Sequence, residues 1–124
     1  MVKASLLTIA ITALIAGLAA CSKDEPIKPG DPVAGKKIYN AYCAACHQAD
    51  GTGKTASGVR LAADYTLADG PLSRPDNELI KIIIAGKVGD IGSMPAWRGV
   101  LGKQEPRDVL AHLRTSFAPP PQGD

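Results

Sequence analysis

Large side chains are scarce in this chain. Of 124 residues only three are Tyr, one is Trp and one is Phe. They stand at Tyr39, Tyr42, Tyr65, Trp97 and Phe117. A small domain with so little bulk struggles to bury enough surface on its own. A long apolar run is also missing. The longest, Leu6 to Ala20, is broken by Thr8, Thr12 and Gly17. That is short of the ~20 consecutive apolar residues of a spanning helix. Charge of one sign is lacking too, with 14 basic against 12 acidic side chains and Lys36-Lys37 the only adjacent basic pair. Without a basic stripe, nucleic acid is excluded as a partner. There is no internal repeat, and the length allows one small domain.

What is present is concentrated at Cys43-Ala44-Ala45-Cys46-His47. C-x-x-C-H is the signature of covalent c-type haem attachment. Two thiols one helical turn apart can add to the two vinyl groups of one porphyrin, and the adjacent imidazole then serves as an axial iron ligand. The motif occurs once, so one haem c is implied. A covalently held porphyrin also supplies the apolar mass that the composition lacks.

The N-terminus carries a second signal. Lys3 and the interrupted apolar run have the build of a secretory signal. The run ends Leu18-Ala19-Ala20-Cys21. This tetrapeptide resembles the lipobox of bacterial lipoproteins. The resemblance implies diacylglycerol on the Cys21 thiol, cleavage just before it and acylation of the new amine. An ordinary signal with a chance cysteine, or an uncleaved anchor, is the rival reading. With Cys43 and Cys46 used by haem, Cys21 is an odd thiol in an oxidising compartment, and a thioether to lipid accounts for it. Ser22 after the cysteine resembles default sorting to the outer membrane. Ser22 to Gly30, with Pro26, Pro29 and Gly30, reads as a tether of nine residues reaching at most about 30 Å. The expected organisation is a signal over 1–20, a lipidated tether over 21–30, a haem domain over 31–117 and a Pro-rich tail over 118–124.

Asp31-Pro32 is a helix start, and the spacing predicts a helix from Pro32 to Ala45. Ala34, Ile38, Tyr42 and Ala45 form its expected inward face, with Gly35 and Tyr39 on another. Turn formers follow from Gln48 to Gly53. Leu61 to Leu67 is open between a helical turn and irregular chain. A second helix is expected over Asp76–Ala85, apolar through Leu79, Ile82 and Ile83 and stopped by Gly86. Gly86 to Trp97 reads as a glycine-rich loop. A last helix starts near Pro106, with Val109, Leu110, Leu113 and Phe117 at helical spacing.

Gly35-Lys36-Lys37-Ile38-Tyr39 followed by the C-x-x-C-H resembles the N-terminal helix and haem motif of class I cytochromes c. The match continues through Gly89 to Trp97 and Asp108 to Arg114. The resemblance implies an all-α fold, three or more helices wrapped around one covalently bound haem. It implies axial ligation by His47 and Met94, the latter in the family's Met-Pro position. A neutral thioether favours ferrous iron and raises the potential. The family usually orients the haem histidine with a proline carbonyl, but no Pro stands between His47 and Gly70. Some other carbonyl is expected in that role. Trp97 is open between a propionate donor and core filler. His112 takes the place of a common aromatic facing Gly35 and Tyr39; bis-His ligation is its alternative.

His/Met ligation leaves no open iron position. The expected function is therefore not an enzyme's. It is the carriage of single electrons between redox proteins, unidentified here, of the periplasm or membrane, on a lipid-anchored bacterial domain. A small subunit of a larger oxidoreductase would read alike. A haem sensor or peroxidase needs Met94 to leave, and Arg98 is the nearest residue to assist peroxide. A zinc module would use Cys43, Cys46, His47 and His112, although adjacent Cys46 and His47 fit a tetrahedron poorly.

Overall fold

The computed structural model describes residues 26–119. The signal, Cys21 and most of the expected tail lie outside these residues. Among the described residues there are four α-helices: α1 (Pro32–Tyr42), α2 (Ala44–His47), α3 (Asp76–Ala85) and α4 (Glu105–Ser116). A 3-10 turn covers Pro71–Ser73, and a two-stranded antiparallel hairpin pairs β1 (Lys87–Gly89) with β2 (Gly92–Met94). No helix among the described residues is long and apolar enough to cross a membrane.

α1 begins as its sequence requires. The Asp31 carboxylate accepts from the N–H groups of Val33 and Ala34 at 2.8 and 3.3 Å, and Pro32 occupies the first turn. It ends at Tyr42 rather than Ala45, because the helix breaks at Cys43 (φ −111°) and restarts as α2. Cys43 N–H still reaches the Tyr39 carbonyl at 2.8 Å, and His47 N–H reaches that of Cys43 at 2.9 Å. The motif therefore stays helical on both sides of a one-residue kink. Gln48 closes it with φ 63°, and its side chain donates to the Ala45 carbonyl.

The inward face of α1 also differs from expectation. Gly35 and Tyr39 are buried, Ala34 and Ile38 are half-buried, and Tyr42 and Ala45 are exposed. The reason is the crossing with α4. A Cβ on Gly35 would stand 1.8 Å from the Asp108 carbonyl oxygen, so the two backbones meet there with no room for a side chain. Around the crossing lie Tyr39, Val109, Leu110 and Leu113 of the core, joined by Leu72, Leu79, Ile83 and Tyr65.

α3 has the expected bounds, with Leu79 and Ile83 buried. Arg114 of α4 fixes its start. The guanidinium donates to Asp76 Oδ1 at 2.8 Å and 3.1 Å and to the carbonyls of Leu72 and Arg74. After Gly86 (φ +73°) the stretch 86–97 folds into the β1–β2 hairpin and turns back onto α3. Trp97 N–H donates to the Ile83 carbonyl and Arg98 N–H to that of Ile84, at 3.3 and 3.0 Å. Leu61 to Leu67 forms turns, not a helix, yet it delivers Tyr65 to the core.

The last residues of the stretch expected to be a tether are docked on the domain. Lys28, Pro29 and Gly30 are held on the start of α4. Lys28 N–H donates to Gln104 Oε1 at 2.9 Å, and Gln104 Nε2 donates back to the Lys28 carbonyl at 3.0 Å. Asp31 N–H donates to Asp108 Oδ1 at 2.9 Å. A stretch without periodicity carries no sequence sign of such docking, because its partners lie more than 70 positions away.

Candidate functional site

The helix kink, α3, the hairpin and α4 surround a cavity of about 750 Å³. That is within the ~300–1,000 Å³ common for bound organic groups. Cys43, Cys46, His47 and Met94 all line it, along with Tyr42 and Trp97. Leu72, Leu79, Ile83 and Leu113 give it apolar walls.

Each polar donor is placed by a local feature. Cys43 sits at the kink and is half-buried, while Cys46, three residues on, is exposed. Burial, with Cys46 close by, pushes the Cys43 thiol up to about 11. Met94 closes β2 and is half-buried, its backbone paired with Lys87. A Cβ on Gly86 would come within 2.6 Å of the Met94 carbonyl oxygen, so the glycine lets the Met94-Pro95 segment lie close against the end of α3.

His47 is buried at the end of α2. Its ring stacks on Tyr65, with centroids 4.5 Å apart and planes 11° from parallel, and the Tyr65 hydroxyl is 3.2 Å from Nε2. Nδ1 is buried without a hydrogen-bond partner. Burial lowers the affinity of the imidazole for a second proton, and the Ala63 backbone carbonyl opposes that effect. The ring is therefore held neutral, the form that ligates a metal. Ala63 is the backbone group beside His47 in the loop where a proline is missing, although it makes no hydrogen bond to Nδ1. Burial likewise raises the Tyr65 phenol well above its ordinary value.

Neither Tyr65 nor Ala63 is marked by the sequence as part of the site. The one available signal was a lone tyrosine in a stretch without clear periodicity. Trp97 packs beside Tyr42, with ring centroids 5.3 Å apart. His112 lies elsewhere. It is buried edge-on to Tyr39 at 5.2 Å and lies 3.1 Å from Ser116 Oγ, and it does not line the cavity. Among the described residues no three His, Cys, Asp or Glu side chains cluster as a metal site. The zinc arrangement of Cys43, Cys46, His47 and His112 is therefore not formed.

Two thiols, a neutral imidazole with an unpartnered buried nitrogen, a thioether and apolar walls fit a flat, apolar, iron-bearing macrocycle. Comparison with known proteins agrees. Residues 30–113 match the family described as cytochrome c oxidase, cbb3-type, subunit III. The chain is 31% identical to cytochrome c6 of Leptolyngbya boryana over 83 residues, 67% of this chain and 89% of that protein. It is 36% identical to the Cbb3-type cytochrome c oxidase subunit FixPc of Rhizobium leguminosarum bv. viciae over 90 residues, which make up 73% of this chain but 29% of that protein. Among solved structures, cytochrome c6 from the diatom Phaeodactylum tricornutum superposes with a TM-score of 0.50 at 31% identity, covering 71% of this chain and 95% of that one. The chain belongs to the cytochrome c family: it is a class I c-type cytochrome of all-α fold, an electron carrier with one covalently bound haem c.

Proposed function

We propose that Cys43 and Cys46 hold the haem by thioether bonds, that His47 and Met94 are its axial ligands, and that the domain is exported and tethered to a membrane through lipid on Cys21. In that setting it passes single electrons between redox proteins of the periplasm or membrane. The carrying observation is the convergence of Cys43, Cys46, His47 and Met94 on one cavity. When bound, haem supplies a reversible one-electron iron couple. The chain's own residues do the rest. The α2 helix aims His47, the Tyr65 ring fixes its plane, and the hairpin carries Met94. The apolar walls from α3 and α4 would shield the bound group, and with both His47 and Met94 bound to its iron no position would be left for a substrate.

The test is spectroscopic. A haem stain that survives denaturing electrophoresis identifies thioether attachment. A low-spin ferric spectrum with the weak red Met–iron band identifies His/Met ligation. High-spin ferric iron, or rapid CO binding by the reduced protein, would instead favour a sensor or peroxidase with a labile Met94.

A second reading has an observation behind it. The matched family and the FixPc relative are described as oxidase subunits, so the same domain suits a small haem subunit of a larger complex. Crosslinking in intact cells separates the two readings: a stable stoichiometric partner supports the subunit, transient partners the free carrier.

A further inference from the structure

Phe117 stands just past the last turn of α4 and does not line the cavity, yet it touches the residue that touches His47. Its ring lies 19° from parallel to that of Tyr65, with centroids 6.1 Å apart. Tyr65 in turn lies 11° from parallel to the His47 imidazole, with centroids 4.5 Å apart. Rings of nearly one tilt therefore run from the end of α4 to the histidine of the cavity, an arrangement that aromatic pairs favour.

The backbone between them keeps these rings together. Tyr65 N–H donates to the Gly51 carbonyl at 2.9 Å. Phe117 is seated on the same glycine, where a Cβ would stand 2.7 Å from its Cδ1 and Cγ. Gly51 N–H donates to the Gln48 carbonyl at 3.2 Å and Gly53 N–H to that of His47 at 3.0 Å. The turn that leaves the haem histidine thus carries both Tyr65 and Phe117. Phe117 also meets the buried rings of Tyr39 and His112, with centroids 5.4 and 5.6 Å away, which limits its own freedom to turn.

His47 has few other holds on its plane. A ligand histidine is normally oriented by a hydrogen bond from the nitrogen away from the metal, but Nδ1 is buried without a partner. The Tyr65 hydroxyl is 3.2 Å from Nε2, and a nitrogen bound to iron no longer accepts from it. What remains is the stacked ring. An imidazole turning about its Cβ–Cγ bond would drive its edge into the tyrosine face.

We propose that Phe117 is a positioning residue for the haem iron. From outside the cavity it holds Tyr65 flat against His47 and so sets the plane of the axial imidazole. This rests on the reading of His47 as axial ligand above.

The electronic structure of low-spin ferric iron follows the planes of its axial ligands. Electron paramagnetic resonance g values and the shifted haem methyl signals in proton NMR therefore report the His47 plane in the haem-loaded chain. Phe117→Leu should change the g spread and the methyl pattern, and Tyr65→Leu should change them further. Tyr65→Phe, which keeps the ring and loses the hydroxyl, should retain the wild-type pattern. Because Phe117 acts through Tyr65, adding Phe117→Leu to Tyr65→Leu should produce no further change. Thermal melts and the haem absorption verify that each variant is folded. A Phe117→Leu protein with a lower melting temperature but the wild-type pattern would make the residue a packing plug and overturn the proposal. So would an equal effect of Phe117→Leu with and without the Tyr65 ring, or a pattern lost as fully in Tyr65→Phe as in Tyr65→Leu. A wild-type ferric protein that is not low-spin overturns the ligand reading itself, and the role of Phe117 with it.

Discussion

Met94 shows how little of a residue's role lies in its own chemistry. Methionine is ordinarily flexible core filler. Here β2 ends on it, Gly86 lets its backbone close onto α3, and it faces the same cavity as His47. Met94→Ala should keep the covalent haem and lower the midpoint potential, since a weaker ligand no longer favours ferrous iron. Spectroelectrochemical titration reads this, and an unchanged potential would remove Met94 from the ligand set. His112 carries a different consequence. It is buried against Tyr39, Phe117 and Ser116, and burial, then the Lys36 charge, hold its proton affinity down. Unfolded, the same imidazole titrates near ~6.5. The unfolded state therefore binds more protons as pH falls below that value, and stability drops through the window between the unfolded and the lower folded value. The slope is at most about 1.4 kcal/mol per pH unit. His112→Phe should flatten it, as measured by thermal melts between pH 7 and pH 5. A variant with the wild-type slope would assign the dependence to another group.

At the scale of elements, the α1–α4 crossing holds the fold. Gly35 is needed there for closeness rather than for its backbone freedom. A methyl at that position meets the Asp108 carbonyl, which is backbone and cannot swing aside. Gly35→Ala gains about 1 kcal/mol of helix propensity, and forcing the helices apart costs more, typically ~1–3 kcal/mol or above. Net destabilisation by chemical denaturation is the expected result; a neutral or stabilised variant would mean the helices separate easily. The crossing also explains why the buried stripe of α1 was not where the apolar spacing placed it. The face pattern Ala34, Ile38, Tyr42, Ala45 follows hydrophobicity along one helix. The partner backbone selects instead the face carrying the smallest residue, and Tyr42 is left to line the cavity. The bounds of α3 were legible, because an acidic start and a Gly stop are local signals. The break at Cys43 was not, because no Gly or Pro marks it.

At the scale of the whole molecule, the proposed lipid anchor is tested at Cys21. Cys21→Ser should move the protein from the membrane to the soluble fraction with its haem absorption unchanged, measured by fractionation and visible spectra. Continued membrane association would refute the lipid anchor. Gln104 clasps Lys28 and Pro29, so this part of the stretch expected to be a tether is held against α4. The cause is long-range hydrogen bonding to α4, invisible to any reading of the local segment.

The class of protein and its cofactor were contained in the amino-acid sequence, and so were the four side chains that line one cavity. C-x-x-C-H and Met-Pro are chemical requirements that tolerate few alternatives, and helix caps act over a few residues. Only the tertiary structure decided what surrounds those donors. The imidazole of His47 rests on Tyr65 rather than beside a proline, and the chain entering the domain is locked to α4. These outcomes depend on which side chains and carbonyls arrive from distant parts of the chain, and that is set by how the helices pack.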